Sequence, residues 1–413
     1  MSTFFNPTAP YINRKQGSNA ESIQHDNRSL ILHMIKSAGV ISRTELARKS
    51  KLNSATISII VNELLEARVV EEKGLVNGTN GRRLAGIGLA NDTMYSIVIR
   101  LNTSYIAVGA FDANSQFLSA KKYFMDTISN LKNTYEHVIA EIDSLRAKYK
   151  DRRLLGIGVA VEGPFYQEGS DYVIPDPLHP GSVFNIAQLL RTHYSLPIHV
   201  SSARNFHSYY YWCSEKPDDR DHSSIININI SYTVECSILI NGQIINGHNG
   251  MAGSIGYWPL AGTPESPITL NDAISSHSIL DQVLELLPNY PNSTLSVLKD
   301  LNIRDVIRAY QNGDPLALYV YNRAAESLAR AIANILLLIN PKLITIADEI
   351  PISEQFLQTI RAQVKCKVPH MVFDSTSIEY GIHMQERTIR NDTIMRGCSL
   401  YVSDYAVSTL SIL

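Results

Sequence analysis

The feature that most constrains the fold of this chain is a set of apolar residues spaced as one face of a helix. The set follows the pattern i, i+3, i+4, i+7 and i+8, and its members are Ile57, Ile60, Val61, Leu64 and Leu65. This spacing predicts an amphipathic helix that buries one face and exposes the other. Asn53 or Ser54 is expected to start the helix, because both side chains cap orphan backbone amides.

A second capped helix is predicted immediately upstream. Ser42 and Glu45 are three residues apart, the spacing of a capping box, in which each side chain satisfies a backbone amide at the helix start. The helix is therefore expected to begin near Arg43. Only a short turn separates it from the helix at 54, as in a helix-turn-helix.

A hairpin signal follows the third helix. Val69 and Val70 lead into a strand, Asn77-Gly78 is a tight-turn dipeptide, and a return strand runs to Leu89. Residues 28–89 therefore have the layout of a winged helix-turn-helix, which predicts DNA binding. A solvated turn in a small helical subdomain is the alternative interpretation.

The predicted DNA contacts lie on the outer side of the third helix, at the start of the second helix and on the wing. They are Arg43, Thr44, Ser54, Ala55, Thr56, Ser58, Ile59, Asn62, Asn80, Arg82 and Arg83. Ile59 is expected either to touch thymine methyl groups or to pack against the wing. Residues 21–90 contain ten Lys and Arg against seven Asp and Glu, a net charge of about +3, whereas the whole chain has 37 against 39. This modest charge predicts that two copies bind DNA together.

The remaining chain alternates strands with helices. Two series of hairpin-linked strands, each followed by helices, predict an α/β fold with two lobes. The expected organisation is a flexible tail over 1–20, a winged helix-turn-helix over 21–90, a first lobe over 91–195 and a second lobe over 196–389. Residues 390–413 are expected to complete the first lobe, and the second lobe is expected to carry a dimer surface.

Composition excludes several other classes of protein. The four cysteines show no paired CxxC spacing, which predicts reduced core thiols rather than a disulfide framework or zinc site. The most apolar stretch, Ala331–Ile339, is too short to span a bilayer, and the N-terminal residues do not resemble a signal peptide. The protein is therefore expected in the cytoplasm.

Four segments together resemble the ROK family, whose name joins repressors, open reading frames and sugar kinases. The segments are 156–164, 196–200, 241–257 and 331–346. The resemblance implies an actin-like, ribonuclease-H-like fold of two lobes. Because a winged helix precedes it, the chain is similar to the xylose-, N-acetylglucosamine- and glucose-responsive repressors of that family rather than to its kinases.

The departures from the family pattern imply that kinase activity is lost. The acidic residue and glycine-rich turn near phosphate are replaced by 100–104, which begins with Arg100, and the general-base Asp is replaced by Ala203. The second phosphate loop, 231–237, lacks glycines. The cysteine ligands of the family zinc site are absent over 261–267, and its His is replaced by Tyr257. No catalytic residue, metal or cofactor is therefore expected.

The resemblance also implies where a ligand would bind. The residues that it places around a sugar site are Glu162, Ser202, Arg204, Asn205, Ser254 and Tyr257. Arg204 would suit a phosphorylated or acidic sugar. The alternative is that these side chains form a polar seam between lobes and satisfy one another.

The function expected from these observations is a transcriptional repressor that senses a sugar or sugar derivative. It is expected to bind a palindromic double-stranded operator as a homodimer or a dimer of dimers. Control by a partner protein instead of a small ligand is one alternative. An active sugar kinase with an appended DNA-binding domain is the other, and Ala203 argues against it.

Overall fold

The computed structural model describes residues 20–77, 83–101, 105–124, 131–162, 166–168, 171–175, 183–214, 223–263, 265–381 and 389–409. The predicted tail lies outside them except for residue 20. The chain divides into two compact units. Unit 1 comprises 1–221, 241–243 and 388–413, and unit 2 comprises 222–240 and 244–387.

The helices and strands of the described residues are numbered here in chain order. The helices are α1 (Ala20–Ala38), α2 (Arg43–Ser50), α3 (Ser54–Glu66), α4 (Leu131–Lys148), α5 (Ile186–His193), α6 (Ala203–Ser214), α7 (Leu270–Ile274), α8 (Ser276–Leu286), α9 (Ile303–Gln311), α10 (Pro315–Ile339), α11 (Glu354–Lys365), α12 (His370–Asp374) and α13 (Thr393–Ser408). The strands are β1 (Ile41–Ser42), β2 (Val70–Asn77), β3 (Arg83–Leu89), β4 (Met94–Leu101), β5 (Tyr105–Asp112), β6 (Phe117–Phe124), β7 (Arg153–Val161), β8 (Tyr166–Glu168), β9 (Asp171–Pro175), β10 (Val183–Phe184), β11 (Ile198–Ser202), β12 (Ser224–Ile230), β13 (Val234–Ile240), β14 (Gln243–Ile244), β15 (Pro259–Thr263), β16 (Ser266–Thr269), β17 (Leu343–Asp348) and β18 (Ser377–Tyr380).

The first part of unit 1 is a winged helix-turn-helix. Helices α1, α2 and α3 pack on a three-stranded antiparallel sheet of order β1-β3-β2. The predicted helix starts are confirmed, because Ser42 Oγ accepts from Glu45 N and Asn53 Oδ1 accepts from Thr56 N. The reciprocal half of the capping box is wrong. The Glu45 carboxylate instead accepts two hydrogen bonds from Arg48 on the next turn.

The α/β part of unit 1 is built on a five-stranded sheet of order β11-β7-β4-β5-β6. Strands β4, β7 and β11 are parallel, whereas β5 and β6 are antiparallel additions. Helices α4 and α5 pack on one face through Val138, Ile142, Ile186 and Leu190. Helix α13 packs on the other face, where the added Cβ of a residue at Gly158 would lie 2.3 Å from Cys398 Sγ.

The boundary predicted between the lobes differs from the division in the structure. Residue 196 was expected to open the second lobe, yet β11 pairs in parallel with β7, with Ser202 opposite Val161. Strand β11 and the following α6 therefore belong to unit 1. The error arose because the strand order of a parallel sheet is set by long-range pairing, which local sequence does not encode.

Unit 2 contains a second five-stranded sheet of order β14-β13-β12-β17-β18, in which β12, β17 and β18 are parallel. The long helix α10 supplies much of its core, including Leu328, Ile332 and Leu336. The Asn241-Gly242 turn is as predicted, because both residues have positive φ, at 49° and 76°. Strands β15 and β16 pair with each other in antiparallel fashion.

The cysteines and the helix hydropathy complete the description. Cys236 and Cys398 are buried, but Cys213 is half-buried and Cys366 is exposed, so the prediction of four core thiols is wrong for two of them. Cys366 is exposed because it is the C-cap of α11, where the chain leaves the core. None of the helices in the described residues combines the length and the apolar character needed to span a bilayer.

Candidate functional site

The outer face of α3 presents short side chains above a buried apolar stripe. Ile57, Ile60, Val61 and Leu64 are buried, as the periodicity predicted. The predicted contacts Ser54, Ala55, Ile59 and Asn62 are exposed, and Thr56 and Ser58 are half-buried. The stripe fixes the helix on its own domain, so the outer face is held in place to meet a partner.

Ile59 is the large apolar residue of this outer face, and 57% of its surface is exposed. Its exposure means that the described wing strands do not bury it. The sequence left two interpretations of Ile59, contact with thymine methyl groups or packing against the wing, and this exposure favours the first. Burying an exposed isoleucine against a thymine methyl group would be favourable.

Helix α2 contributes to the same surface through Arg43 and Thr44. The Arg43 guanidinium donates to Asn62 Oδ1 over 3.0 Å, which ties the first residue of α2 to the middle of α3. Thr44 is exposed beside it. The Ser58 hydroxyl donates to the Ser54 carbonyl over 2.8 Å, so its oxygen can still accept a hydrogen bond.

The wing is described only in part. Arg83 is exposed at the first residue of β3. Asn80 and Arg82 were predicted to contact DNA and lie outside the described residues. Leu75 on β2 is also exposed.

A second group of polar residues gathers at the carboxyl edge of the unit 1 sheet, where β4, β7 and β11 all end. Arg100 lies on β4 and donates to Glu162 just beyond β7, with Nε to Oε1 at 2.9 Å. Arg100 also pairs with Asp392, which caps the start of α13. These three residues come from segments far apart in the sequence, and Arg100 and Asp392 are almost fully buried.

In this cluster one guanidinium, that of Arg100, pairs with two carboxylates. Burial alone would lower the pKa of Arg100, but the charges of Asp392 and Glu162 raise it well above its ordinary value. The guanidinium therefore stays charged throughout the physiological pH range. Arg100 and Asp392 were not among the residues that the sequence predicted. The sequence does contain a sign of this cluster: Arg100 is an arginine inside the apolar run of β4, and a buried arginine needs a buried counter-charge.

The predicted ligand residues of unit 1 lie at the same sheet edge. Ser202 is the last residue of β11, and Arg204 and Asn205 lie in the first turn of α6. Ser202 and Asn205 are buried and Arg204 is half-buried. Asn205 Nδ2 donates to Ser201 Oγ over 2.9 Å. Ala203, at the position of the family's general base, is 1% exposed and carries no group that could accept a proton.

The other two predicted ligand residues belong to unit 2. The Ser254 hydroxyl donates to the Met251 carbonyl over 2.8 Å. Tyr257 ends a short 3-10 turn, and 68% of its surface is exposed. Among the described residues, no group of three or more His, Cys, Asp or Glu side chains is placed to hold a metal ion.

A winged helix-turn-helix followed by sheets of this order defines a DNA-binding domain joined to a kinase-like α/β domain. The sequence pattern of the ROK family matches residues 96–403, and the chain belongs to that family. The family domain therefore covers both α/β sheets and most of α13, and the winged helix-turn-helix precedes it.

Relatives match over most of their length. The DNA-binding transcriptional dual regulator NagC of Escherichia coli is 26% identical over 353 residues, which cover 83% of this chain and 85% of NagC. The xylose repressor of Caldicellulosiruptor bescii is 22% identical and covers 92% of this chain and 96% of its own. A solved ROK family transcriptional regulator, described as a homolog of the E. coli Mlc protein, matches with a TM-score of 0.78 at 20% identity, covering 94% of this chain and 98% of that one.

Proposed function

We propose that this protein is a sequence-specific DNA-binding transcriptional regulator that represses its targets and responds to a sugar or sugar derivative. The observation that carries this proposal is the outer face of α3, which presents Ser54, Ala55, Ile59 and Asn62 on a helix anchored by its buried face. A helix of this kind in a helix-turn-helix enters the major groove with its N-terminal residues toward the bases. The names of the relatives support the same function.

The mode of binding proposed is a homodimer, or a dimer of dimers, on a palindromic operator. Residues 21–90 contain ten Lys and Arg against seven Asp and Glu, a net charge of about +3, which is modest for one domain that binds a phosphate backbone. Two copies joined by two-fold symmetry double the number of phosphate contacts and add base readout at a second half-site. The protein would act in the cytoplasm, where the DNA is.

The α/β domain is proposed to sense rather than to phosphorylate. At the sheet edge where a kinase of the family would approach phosphate, Arg100 is paired with Glu162 and Asp392. Ala203 cannot serve as a base. A sugar hydroxyl could instead be bound by the polar groups of Ser202, Arg204 and Asn205 in unit 1.

The experiment that tests the proposal is selection of genomic DNA fragments by the purified full-length protein at a stated salt concentration. The selection is repeated with xylose, N-acetylglucosamine, glucose and their phosphates. Enrichment of palindromic fragments that one sugar releases would support both parts. Enrichment that no sugar changes would favour the partner-protein alternative, and no enrichment at moderate salt would refute DNA binding. Turnover of ATP with any of these sugars would refute the loss of kinase activity.

A further inference from the structure

The winged helix-turn-helix shares a hydrophobic core with the C-terminal helix of the chain. Ile31 and Ile35 of α1 belong to the same buried cluster as Val402, Ala406 and Val407 of α13. These residues are separated by more than 360 positions in the sequence. Helix α1 therefore packs on the α/β part of unit 1 through α13.

A polar network crosses this apolar contact. Lys36 Nζ of α1 lies 2.8 Å from Asp404 Oδ1 of α13, and only 9% and 13% of their side chains are exposed. His33 Nε2 and Ser408 Oγ are 2.5 Å apart one turn away. The Ser29 hydroxyl donates to the Ser408 carbonyl over 3.3 Å. Ser29, His33 and Lys36 of α1 are thus bound to the last two turns of α13.

Asp404 is bound from the opposite side by α6. Tyr209 of α6 is fully buried, and its hydroxyl donates to Asp404 Oδ2 over 2.6 Å. Burial alone would raise the pKa of Asp404, but the charges of Lys36 and His33 and the hydrogen bonds from Lys36 and Tyr209 hold it below its ordinary value. The two oxygens of one carboxylate therefore join two different helices.

Helices α6 and α13 are packed too closely to move independently. A Cβ added at Gly397 would lie 1.9 Å from the carbonyl oxygen of Phe206 and 3.1 Å from Tyr210 Cβ. The backbone of α13 at Gly397 packs directly on the backbone of α6 at Phe206. No flexible side chain lies between them that could accommodate a shift of α6. A displacement of α6 must therefore be taken up by α13.

We propose that Asp404 is the positioning residue through which α6, which begins at the candidate ligand residues, sets the placement of α1 and the DNA-binding domain. The proposal rests on the proposed function and names how the ligand site would control DNA binding. The path continues to the DNA-facing helix, because Arg28 of α1 pairs with Glu63 of α3 over 2.8 Å. The contacts between α6 and α13, between α13 and α1 and between α1 and α3 all lie within unit 1.

The test is hydrogen–deuterium exchange of the full-length protein without DNA, comparing the wild type with Tyr209→Phe. This substitution removes one hydroxyl and leaves both buried charges in place, so the variant is expected to fold. If Tyr209 holds Asp404 in position against Lys36, amides of residues 29–38 should exchange roughly tenfold faster, since a hydrogen bond to a charged group contributes at least that factor.

The matched control is Tyr194→Phe. Tyr194 also donates to a carboxylate, with 3.0 Å between its hydroxyl and Asp143 Oδ1, but it lies between α4 and α5 and not in the network. This control should leave exchange of α1 unchanged. Equal exchange of α1 in the wild type and in Tyr209→Phe would overturn the proposal. Equal acceleration in both variants would also overturn it, because a general loss of stability would then be the cause.

A double-mutant cycle with Lys36→Met provides a second measurement. If Asp404 couples Tyr209 to Lys36, the effects of the two substitutions on α1 exchange are non-additive, whereas additive effects overturn the proposal. These readouts need no operator, so they are separate from the test of DNA binding. Failure of the wild type to select DNA would refute the proposed function while the exchange result still reports on the α6–α13–α1 contact.

Discussion

The outer face of α3 and the carboxyl edge of the unit 1 sheet are both polar, but they differ in how their polar groups are satisfied. Ser54, Asn62 and their neighbours on α3 remain in contact with water. Arg100, Glu162 and Asp392 at the sheet edge are removed from water and bind one another. The first surface can exchange water for a partner at little cost, whereas the second must break its own ion pairs first.

This difference indicates which functions each region can support. An exposed helix face with an anchored backbone suits recognition of a large, charged partner such as DNA. The buried ion pairs at the sheet edge are consistent with the proposal that the α/β domain senses rather than phosphorylates. If the two regions differ in this way, breaking the buried ion pairs at the sheet edge should lower stability, and changing the outer face of α3 should lower DNA affinity.

The largest effect is expected for Arg100→Met. The substitution leaves Glu162 and Asp392 buried without a counter-charge, and breaking a buried pair in this way costs about 3–5 kcal/mol of unfolding free energy. Urea denaturation of the full-length protein measures it. Arg48→Met, which breaks the exposed pair with Glu45, is the control and should change the midpoint little. Similar losses of unfolding free energy in the two variants would mean that the ion pairs of Arg100 are not buried in the folded protein.

The next largest effect is expected on the outer face of α3. Ile59→Glu places a negative charge where the proposal puts DNA, and the affinity for a selected fragment should fall by at least roughly a hundredfold through repulsion from phosphates. Fluorescence anisotropy measures it, and the thermal midpoint should not change because Ile59 is exposed. Ile23→Glu, at an isoleucine of α1 that is 48% exposed, is the matched control. An equal loss of affinity in the control would show that overall charge, not the α3 face, governs binding.

An intermediate effect is expected from pH at His199 on β11, the strand that leads to the candidate ligand residues. The ring packs edge-on against Tyr401 and Tyr405, and its Nε2 makes no hydrogen bond among the described residues. Burial lowers the pKa of His199 from 6.5 to about 4. The folded state therefore favours the neutral ring, so this stability is present above pH 6.5 and is lost as the pH falls toward 4.

The measurement is urea denaturation at pH 7 and at pH 5 for the wild type and His199→Phe, which keeps an aromatic ring in the same space. Between these two pH values the wild type should lose about 2 kcal/mol more than the variant. Parallel losses in the two proteins would show that the ring is accessible to protons in the folded state.

The smallest effect is expected for Asn53, the N-cap of α3. Asn53→Ala removes the acceptor for Thr56 N and should lower stability by about 1 kcal/mol. Asn302→Ala removes the cap of α9 in unit 2 and should cost a similar amount. DNA affinity should fall only in the first variant, because only Asn53 holds the start of α3. An equal change in DNA affinity would contradict that role.

The exposed face of α3 follows from the sequence more completely than the polar cluster at the sheet edge does. The positions of Ser54, Ile59 and Asn62 follow from the period of one helix and from its cap, both of which lie within a few residues. The groups around Glu162 do not follow in this way. Glu162 is bound by Arg100, which is 62 residues away, and Arg100 by Asp392, which is 292 residues away.

Local sequence specifies the starts of α2 and α3, the buried stripe of α3 and the Asn241-Gly242 turn. Hydrogen bonds and periodicities that span three to eight residues fix these features before any tertiary contact forms. Long-range contacts place β11 in the first sheet, pair Arg100 with Asp392 at its edge and bind α13 to both α6 and α1. Those outcomes depend on which distant segments bury one another, and a single sequence does not specify that locally.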